Sequence, residues 1–264
     1  MIGAIIGDIV GSRFEFRNTL RTDFELFTSE NTFTDDTVMT CAVARAILDA
    51  EGDPARLYKA AISSMQRVGR QYPDCGYGAR FIRWMFSRRP EPYGSFGNGS
   101  AMRVSPVGFA ARTLEECKAM SRAVTAPSHD HPEGLKGAEA TAVAVFLARQ
   151  GKTKDELRAA MEAYYTLDRD CAWYRTNWDG HGAEICQISV PQALTCFFES
   201  DGFEDCIRKC VSTGGDSDTV AAIAGGVAEA FYGVPDELRE SAMIFLDEPL
   251  REIVRSFDHW LETR

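Results

Sequence analysis

Apolar residues along this chain recur every three to four positions. In residues 36–54, Val38, Ala42 and Ala46, with Met39, Val43 and Ile47 beside them, fall on one helical face, and Gly52 and Pro54 end the run. A helix of about three turns is expected there. The same spacing returns in PEGLKGAEATAVAVFLARQGK, KDELRAAMEAYY, SVPQALTCFFES, FEDCIRKCVSTGG, DTVAAIAGGVAEAFYG and LREIVRSFDHWLETR. The apolar run over residues 2–10 also reads as a packed helix. Pro-, Gly- and Asn-rich loops such as RRPEPYGSFGNGS and TAPSHDHPEG separate these segments. No succession of short alternating Val, Ile, Thr or aromatic runs suggests strands. The pattern predicts an all-α protein, one domain over residues 1–264, without repeats or low-complexity tracts.

Composition narrows this further. A chain of 264 residues with 45% hydrophobic content can bury a substantial core. Its 39 acidic and 29 basic residues give a net charge of -10, which argues against a nucleic-acid surface, since phosphate backbones are held by clustered Lys and Arg. The densest arginine, in RFIRW and SRRPEP, reads as a solvated helix end. The N-terminal apolar run has an acid in its middle and no positive charge before it, unlike a signal peptide, and no stretch reaches the roughly 20 apolar residues of a membrane span. A soluble, cytoplasmic monomer is expected. The eight cysteines, without a C-x-x-C pair, fit reduced buried thiols, and Cys206 and Cys210, one helical turn apart, read as packing residues rather than zinc ligands.

Several segments carry more polar chemistry than packing explains. FTDDTVMT opens a predicted helix with Thr34, Asp35, Asp36 and Thr37; GGDSDTV opens another with Asp216, Ser217, Asp218 and Thr219. Thr and Asp are favoured N-caps, and acids suit the positive end of a helix. One cap, however, needs one such residue. The alternative is that both helix ends converge on a cation site, where four carboxylates and the Thr hydroxyls are the hard oxygen ligands that Mg²⁺ or Mn²⁺ takes. Capping and cation binding both remain open at this level. In GDIVGSRFEF, Asp8 sits in a Gly-spaced apolar run and reads as a buried structural acid, whereas Glu15, between two Phe, is either solvent-facing or a carboxyl raised toward proton transfer. Gly97, Asn98, Gly99 and Ser100, followed by Arg103, form a loop able to bring backbone N–H groups to a phosphate. His129 and His131, lacking a third partner, suit ligand contact better than metal binding.

Taken in order, GAIIGDIVGSRFEF, FTDDTVMT, GNGSAMRVSPVG, SHDHPEGLKGAEA and GGDSDTVAAIAGGVAEAFYG resemble the ADP-ribosylglycohydrolase family over nearly the whole chain. The resemblance implies an orthogonal helical bundle with a dinuclear Mg²⁺ or Mn²⁺ cleft. It implies hydrolysis of the bond between the ribose anomeric carbon and an acceptor in ADP-ribosylated proteins or ADP-ribose derivatives. On the matching positions, it implies Thr34, Asp35, Asp36, Asp216, Asp218 and Thr219 as metal ligands, and Glu15, Asp36 and Asp218 as catalytic. It implies Gly97, Asn98, Gly99, Ser100 and His129 as ADP-ribose contacts. Members acting on arginine carry a further acid, for which Asp74 in YPDCGYG is the nearest candidate. An aromatic residue stacking on adenine is implied but not identified. Two rivals stand beside this. A haloacid-dehalogenase phosphatase would need a strand before DSDTV, where a helix is predicted. A non-catalytic, crystallin-like or merely ADP-ribose-binding relative would not need both acid pairs.

Overall fold

The computed structural model describes residues 1–177 and 181–264. The first half comprises helices α1 (Ile2–Gly11), α2 (Asp35–Asp49), α3 (Pro54–Gly69), α4 (Ala79–Phe86), α5 (Gly99–Met102), α6 (Ser105–Ala110) and α7 (Leu114–Thr125), with a short 3₁₀ turn at Ser12–Phe14. The second comprises α8 (Pro132–Arg149), α9 (Lys154–Met161), α10 (Cys171–Asn177), α11 (Cys186–Glu199), α12 (Phe203–Ser212), α13 (Ser217–Tyr232), α14 (Asp236–Phe245) and α15 (Glu248–Glu262). Among the described residues there is no strand, only an isolated bridge between Gly97 and Ile185. The architecture is all-α.

Helices with an apolar surface all round must be buried, and α1 is the clearest case: every one of its residues is buried. It lies along α13, which also packs against α12, α11 and α8, so α13 is the central rod of the bundle. The contact between α1 and α13 is backbone to backbone. Gly3, Gly7 and Gly11, four apart and hence on one face, leave no room for a side chain: a Cβ at Gly3 would lie 2.3 Å from the Gly225 carbonyl oxygen, and one at Gly7 2.1 Å from that of Ala221. A Cβ at Gly11 would lie 2.4 Å from the Cα of Asp218. This spine brings Asp8 of α1 and Asp218 of α13 to the same end of the bundle. All eight cysteines are free, and Cys206 and Cys210 are buried in the core.

The long periodic runs fold as expected, with shifted ends. The helix expected over KDELRAAMEAYY stops at Met161, and the chain then folds back so that the Tyr164 hydroxyl donates to Glu139 at 2.8 Å. α11 begins at Cys186, earlier than expected, and carries Pro191 in its interior. Helices α3, α7 and α14 form where no run stands out. α14 buries little, Ala242 among its residues, so its apolar stripe is too thin to be legible. No helix among the described residues is long and apolar enough to cross a membrane.

Candidate active site

The starts of α2 and α13 meet, as the paired motifs suggest; one motif residue, Thr34, caps α2 as expected, whereas the acids of both motifs leave the capping to others. α2 is capped twice without Asp35 or Asp36. The Thr34 hydroxyl accepts from the Asp36 N–H at 3.3 Å. Asp8, arriving from α1, accepts from the Thr34 hydroxyl at 2.7 Å and from the backbone N–H groups of Thr34 and Thr37 at 2.9 and 3.0 Å. At α13, Asp216 holds the N-cap position but makes no capping hydrogen bond. The carboxylates of Asp35, Asp36 and Asp216 are therefore not consumed by their helices. The Asp216 carboxylate instead accepts from the Asn98 side chain at 2.6 Å.

The turn into α13 is built for this. Gly214 and Gly215 have φ of 76° and 78°, in the left-handed region that costs a side-chain-bearing residue strain. Gln192 donates to the Thr213 hydroxyl at 2.9 Å and to the Gly214 carbonyl at 3.0 Å. Asn18 brackets the other side, donating to the Gly215 carbonyl and accepting from its N–H, both at 2.9 Å. Ser217, between the two acids, is buried, and its hydroxyl faces back to the Gly215 carbonyl at 3.4 Å.

The result is an acid cluster with two sets of converging oxygens. Asp8, Asp36 and Asp218 each offer an oxygen within 4.8 Å of the others, and so do Glu15, Asp216 and Asp218. Asp36 and Asp218 are 2% and 3% exposed. Among the described residues no Lys or Arg pairs with any of these groups. Burial first, then the neighbouring carboxylates, pushes Asp36 and Asp218 well above the ordinary carboxylate range. The same causes push Asp35 up to about 8 and Glu15 to about 7. Asp36 Oδ1 is buried with no hydrogen-bond partner, while Oδ2 accepts from the Thr219 hydroxyl at 3.2 Å. Uncompensated buried carboxylates and an orphaned oxygen are what a hard divalent cation would satisfy.

The cluster forms one end of a cleft of about 420 Å³. The other end is basic and aromatic. Arg103, 1% exposed, donates to the Ser128 hydroxyl at 2.9 Å, and burial lowers its pKa to about 10, so it stays charged at neutral pH. His129 Nδ1 lies 2.8 Å from the Ser128 hydroxyl, and burial followed by repulsion from Arg103 and Arg80 keeps the ring neutral. With Nδ1 turned to Ser128 and Arg103, Nε2 faces the loop, near Gly97 and Gly99. Arg80, Phe81 and Tyr93 complete this end.

Of the residues singled out from sequence, Glu15, Asp35, Asp36, Asp216, Asp218, Thr219, Gly97, Asn98, Gly99 and His129 line the one cleft. Thr34 and Ser100 do not. Thr34 is held by Asp8, and the Ser100 hydroxyl points under the loop to the Gly134 carbonyl at 2.9 Å. Asp74 is exposed and outside the cleft, and His131 caps α8, accepting from the Glu133 N–H at 3.1 Å. Asp8, read as structural, does hold α2, yet its oxygens also belong to the acid cluster. Phe81 and Tyr93 carry no distinguishing signal among the chain's 16 Phe and 8 Tyr, and Asn18 sits in a loop without a motif.

Comparison with known proteins agrees in length and architecture. The family model described as ADP-ribosylglycohydrolase matches residues 1–260. ADP-ribosylhydrolase ARH3 of Homo sapiens is 27% identical, covering 91% of this chain and 86% of that protein. The ADP-ribosyl-[dinitrogen reductase] glycohydrolase of Rhodospirillum rubrum is 28% identical, covering 85% and 77%. A solved structure titled ADP-ribosylglycohydrolase-related protein complex superimposes with a TM-score of 0.67 at 24% identity over 92% of this chain and 95% of that one, a likeness of fold.

Proposed function

The chain belongs to the ADP-ribosylglycohydrolase family, and from that premise we propose that it is a divalent-cation-dependent hydrolase. It cleaves the bond between the ribose anomeric carbon and an acceptor in ADP-ribosylated proteins or ADP-ribose derivatives. The observation that carries this is the polarity of the cleft: buried, unpaired carboxylates at one end, and Arg103, neutral His129 and an aromatic wall at the other. One end suits a ribose held through cations, the other a diphosphate and a base. The names of the curated relatives, a hydrolase and a glycohydrolase of ADP-ribosyl groups, point the same way.

Asp35, Asp36, Asp216, Asp218 and Thr219 would hold two Mg²⁺ or Mn²⁺ ions, with Asp8 and Asn98 fixing the helix start and the carboxylate on either side. Bound there, such ions would supply positive charge for the sugar hydroxyls and would lower the pKa of a nearby water. The chain's own residues do the rest. Glu15, beside the cluster with its carboxyl partly desolvated, would give a proton to the departing acceptor and take one from the incoming water. The Nε2–H of His129, the Arg103 guanidinium and the N–H groups of the Gly97–Gly99 loop receive the diphosphate. Phe81 and Tyr93 offer ring faces to the adenine.

The test is release of ADP-ribose from arginine-linked and serine-linked ADP-ribosylated peptides, poly-ADP-ribose and O-acetyl-ADP-ribose, with Mg²⁺ or Mn²⁺ or with chelator. Cation-dependent release from one or more substrates is expected. No release from any of the four would leave a binding or structural role in its place.

The raised carboxyls also set a pH dependence. A group whose pKa is higher folded than unfolded costs stability that is absent below the unfolded value and grows until the folded value is passed. Asp35 moves from 3.8 to about 8 and Glu15 from 4.5 to about 7, so the cation-free protein loses stability as pH rises across that window. Cations offset that loss. The melting-temperature gain on adding Mn²⁺ is therefore expected to be small near pH 5 and largest near pH 8. A gain that does not change with pH in paired melts with and without chelator would place the cations elsewhere.

A further inference from the structure

Behind the wall formed by Arg80 and Tyr93 lies a second, open groove of about 320 Å³ that these two residues share with the cleft. Arg80 and Arg83, three apart on α4 and so on one face, line it together with Arg89. The wall itself is fixed: the Arg80 guanidinium donates to the Tyr93 carbonyl and sits over that ring at 4.7 Å. The loop bringing Arg89 is fixed as well. Its Ser87 carbonyl accepts from Gln66 of α3 at 3.0 Å, and the Arg89 N–H donates to the Ser87 hydroxyl at 3.1 Å. Glu91 also lines the groove, yet among the described residues no carboxylate reaches ion-pair distance of Arg80, Arg83 or Arg89. Three guanidiniums against one carboxylate is an unusual local excess in a chain of net charge -10.

The groove's position decides what it would take. With the scissile ribose at the acid end and the diphosphate at Arg103 and His129, the nucleoside end of the ligand meets Arg80, Phe81 and Tyr93. Anything attached to the nucleoside ribose then continues toward Arg83 and Arg89. We propose that this groove is an anion subsite for a phosphate carried on the nucleoside end of the substrate, beyond the ADP-ribose that fills the cleft. The inference rests on the proposed function. The phosphate is either a monophosphate on the adenosine ribose or the diphosphate of a second ADP-ribose unit joined there; both present the same oxygens to a guanidinium fork.

The experiment measures binding to the full-length protein in Mn²⁺ by calorimetry, with three ligands: ADP-ribose, ADP-ribose bearing a 2′-phosphate on its adenosine, and a linear ADP-ribose dimer joined by a non-hydrolysable thioglycosidic link. At least one phosphate-bearing ligand is expected to bind about tenfold more tightly than ADP-ribose, as one added charge-assisted contact gives. Which ligand gains identifies the source of the phosphate. In Arg83→Gln/Arg89→Gln the advantage is expected to vanish while ADP-ribose itself binds as to the wild type, which also shows the variant is folded. Equal affinities for all three ligands in the wild type, or an advantage that survives the double substitution, would overturn the subsite and leave the hydrolase reading standing. Failure of ADP-ribose itself to bind would overturn the hydrolase reading and the subsite with it.

Discussion

Asp36→Asn and Asp218→Asn, singly or together, are expected to abolish turnover, by at least about a thousandfold, while leaving a folded protein. Asparagine keeps the shape and can still accept from the Thr219 hydroxyl and the Thr219 N–H, the contacts these two carboxylates make at 3.2 and 3.0 Å. It removes a charge that burial and neighbouring acids already disfavour. In the absence of cations, then, melting temperature should stay level or rise, whereas the stabilisation by Mn²⁺ should disappear. Those opposite signs separate a cation-binding acid from a structural one, because a structural acid would lower the cation-free melting temperature when replaced. Measuring turnover and paired melts on the same preparations checks both. Retention of turnover by the double variant would remove the acid cluster from the mechanism.

The second large effect is expected far from the chemistry. Gly7→Ala should destabilise the protein by about 3 kcal/mol, at the upper end of overpacking costs, and Gly7→Val should prevent folding. The added Cβ would meet the carbonyl oxygen and carbon of Ala221 at 2.1 and 2.3 Å, which belong to the backbone of α13 and cannot rotate aside. The only relief is to part α1 from α13. That also separates Asp8 from Asp218, so the surviving Gly7→Ala protein should gain less from Mn²⁺ as well. Gly202, the N-cap residue of α12, is the control: beyond its chain neighbours no atom lies within 4 Å of a Cβ there, and Gly202→Ala should cost no more than about 1 kcal/mol, the loss of a favoured N-cap residue. Urea unfolding of the variants reads the differences, and a Gly7→Ala protein as stable as Gly202→Ala would show that the spine gives way at little cost.

Cation binding and helix capping draw on the same residue types, Thr, Asp and Gly, and this limits what the chain reveals by itself. TDDT and GGDSDTV announce two polar helix starts, and their order along the chain announces the family. What they do not announce is which oxygen does which task. At α2 the capping falls to Thr34 and to Asp8, a residue 26 positions earlier that reads as one more buried acid in an apolar run. At α13 the expected cap makes no capping bond, and Asn98 holds the carboxylate instead. Ser100 follows the same logic: the loop motif is visible, but the hydroxyl's direction is set by α8 passing beneath it.

The sequence by itself determined the helical periodicity, the all-α class, the paired acids and the glycine loop, because each is a local pattern with a local physical cause. The tertiary structure alone decided that α1 and α13 touch through glycines, that Asp8 joins the acids Glu15, Asp36, Asp216 and Asp218, and that arginine and aromatic side chains close the cleft opposite them. Many of those are contacts between residues far apart along the chain, as Gly3 is from Gly225 and Asp8 from Asp218, and the direction in which a side chain's oxygen points across such a contact is fixed by packing, which no short stretch of sequence encodes.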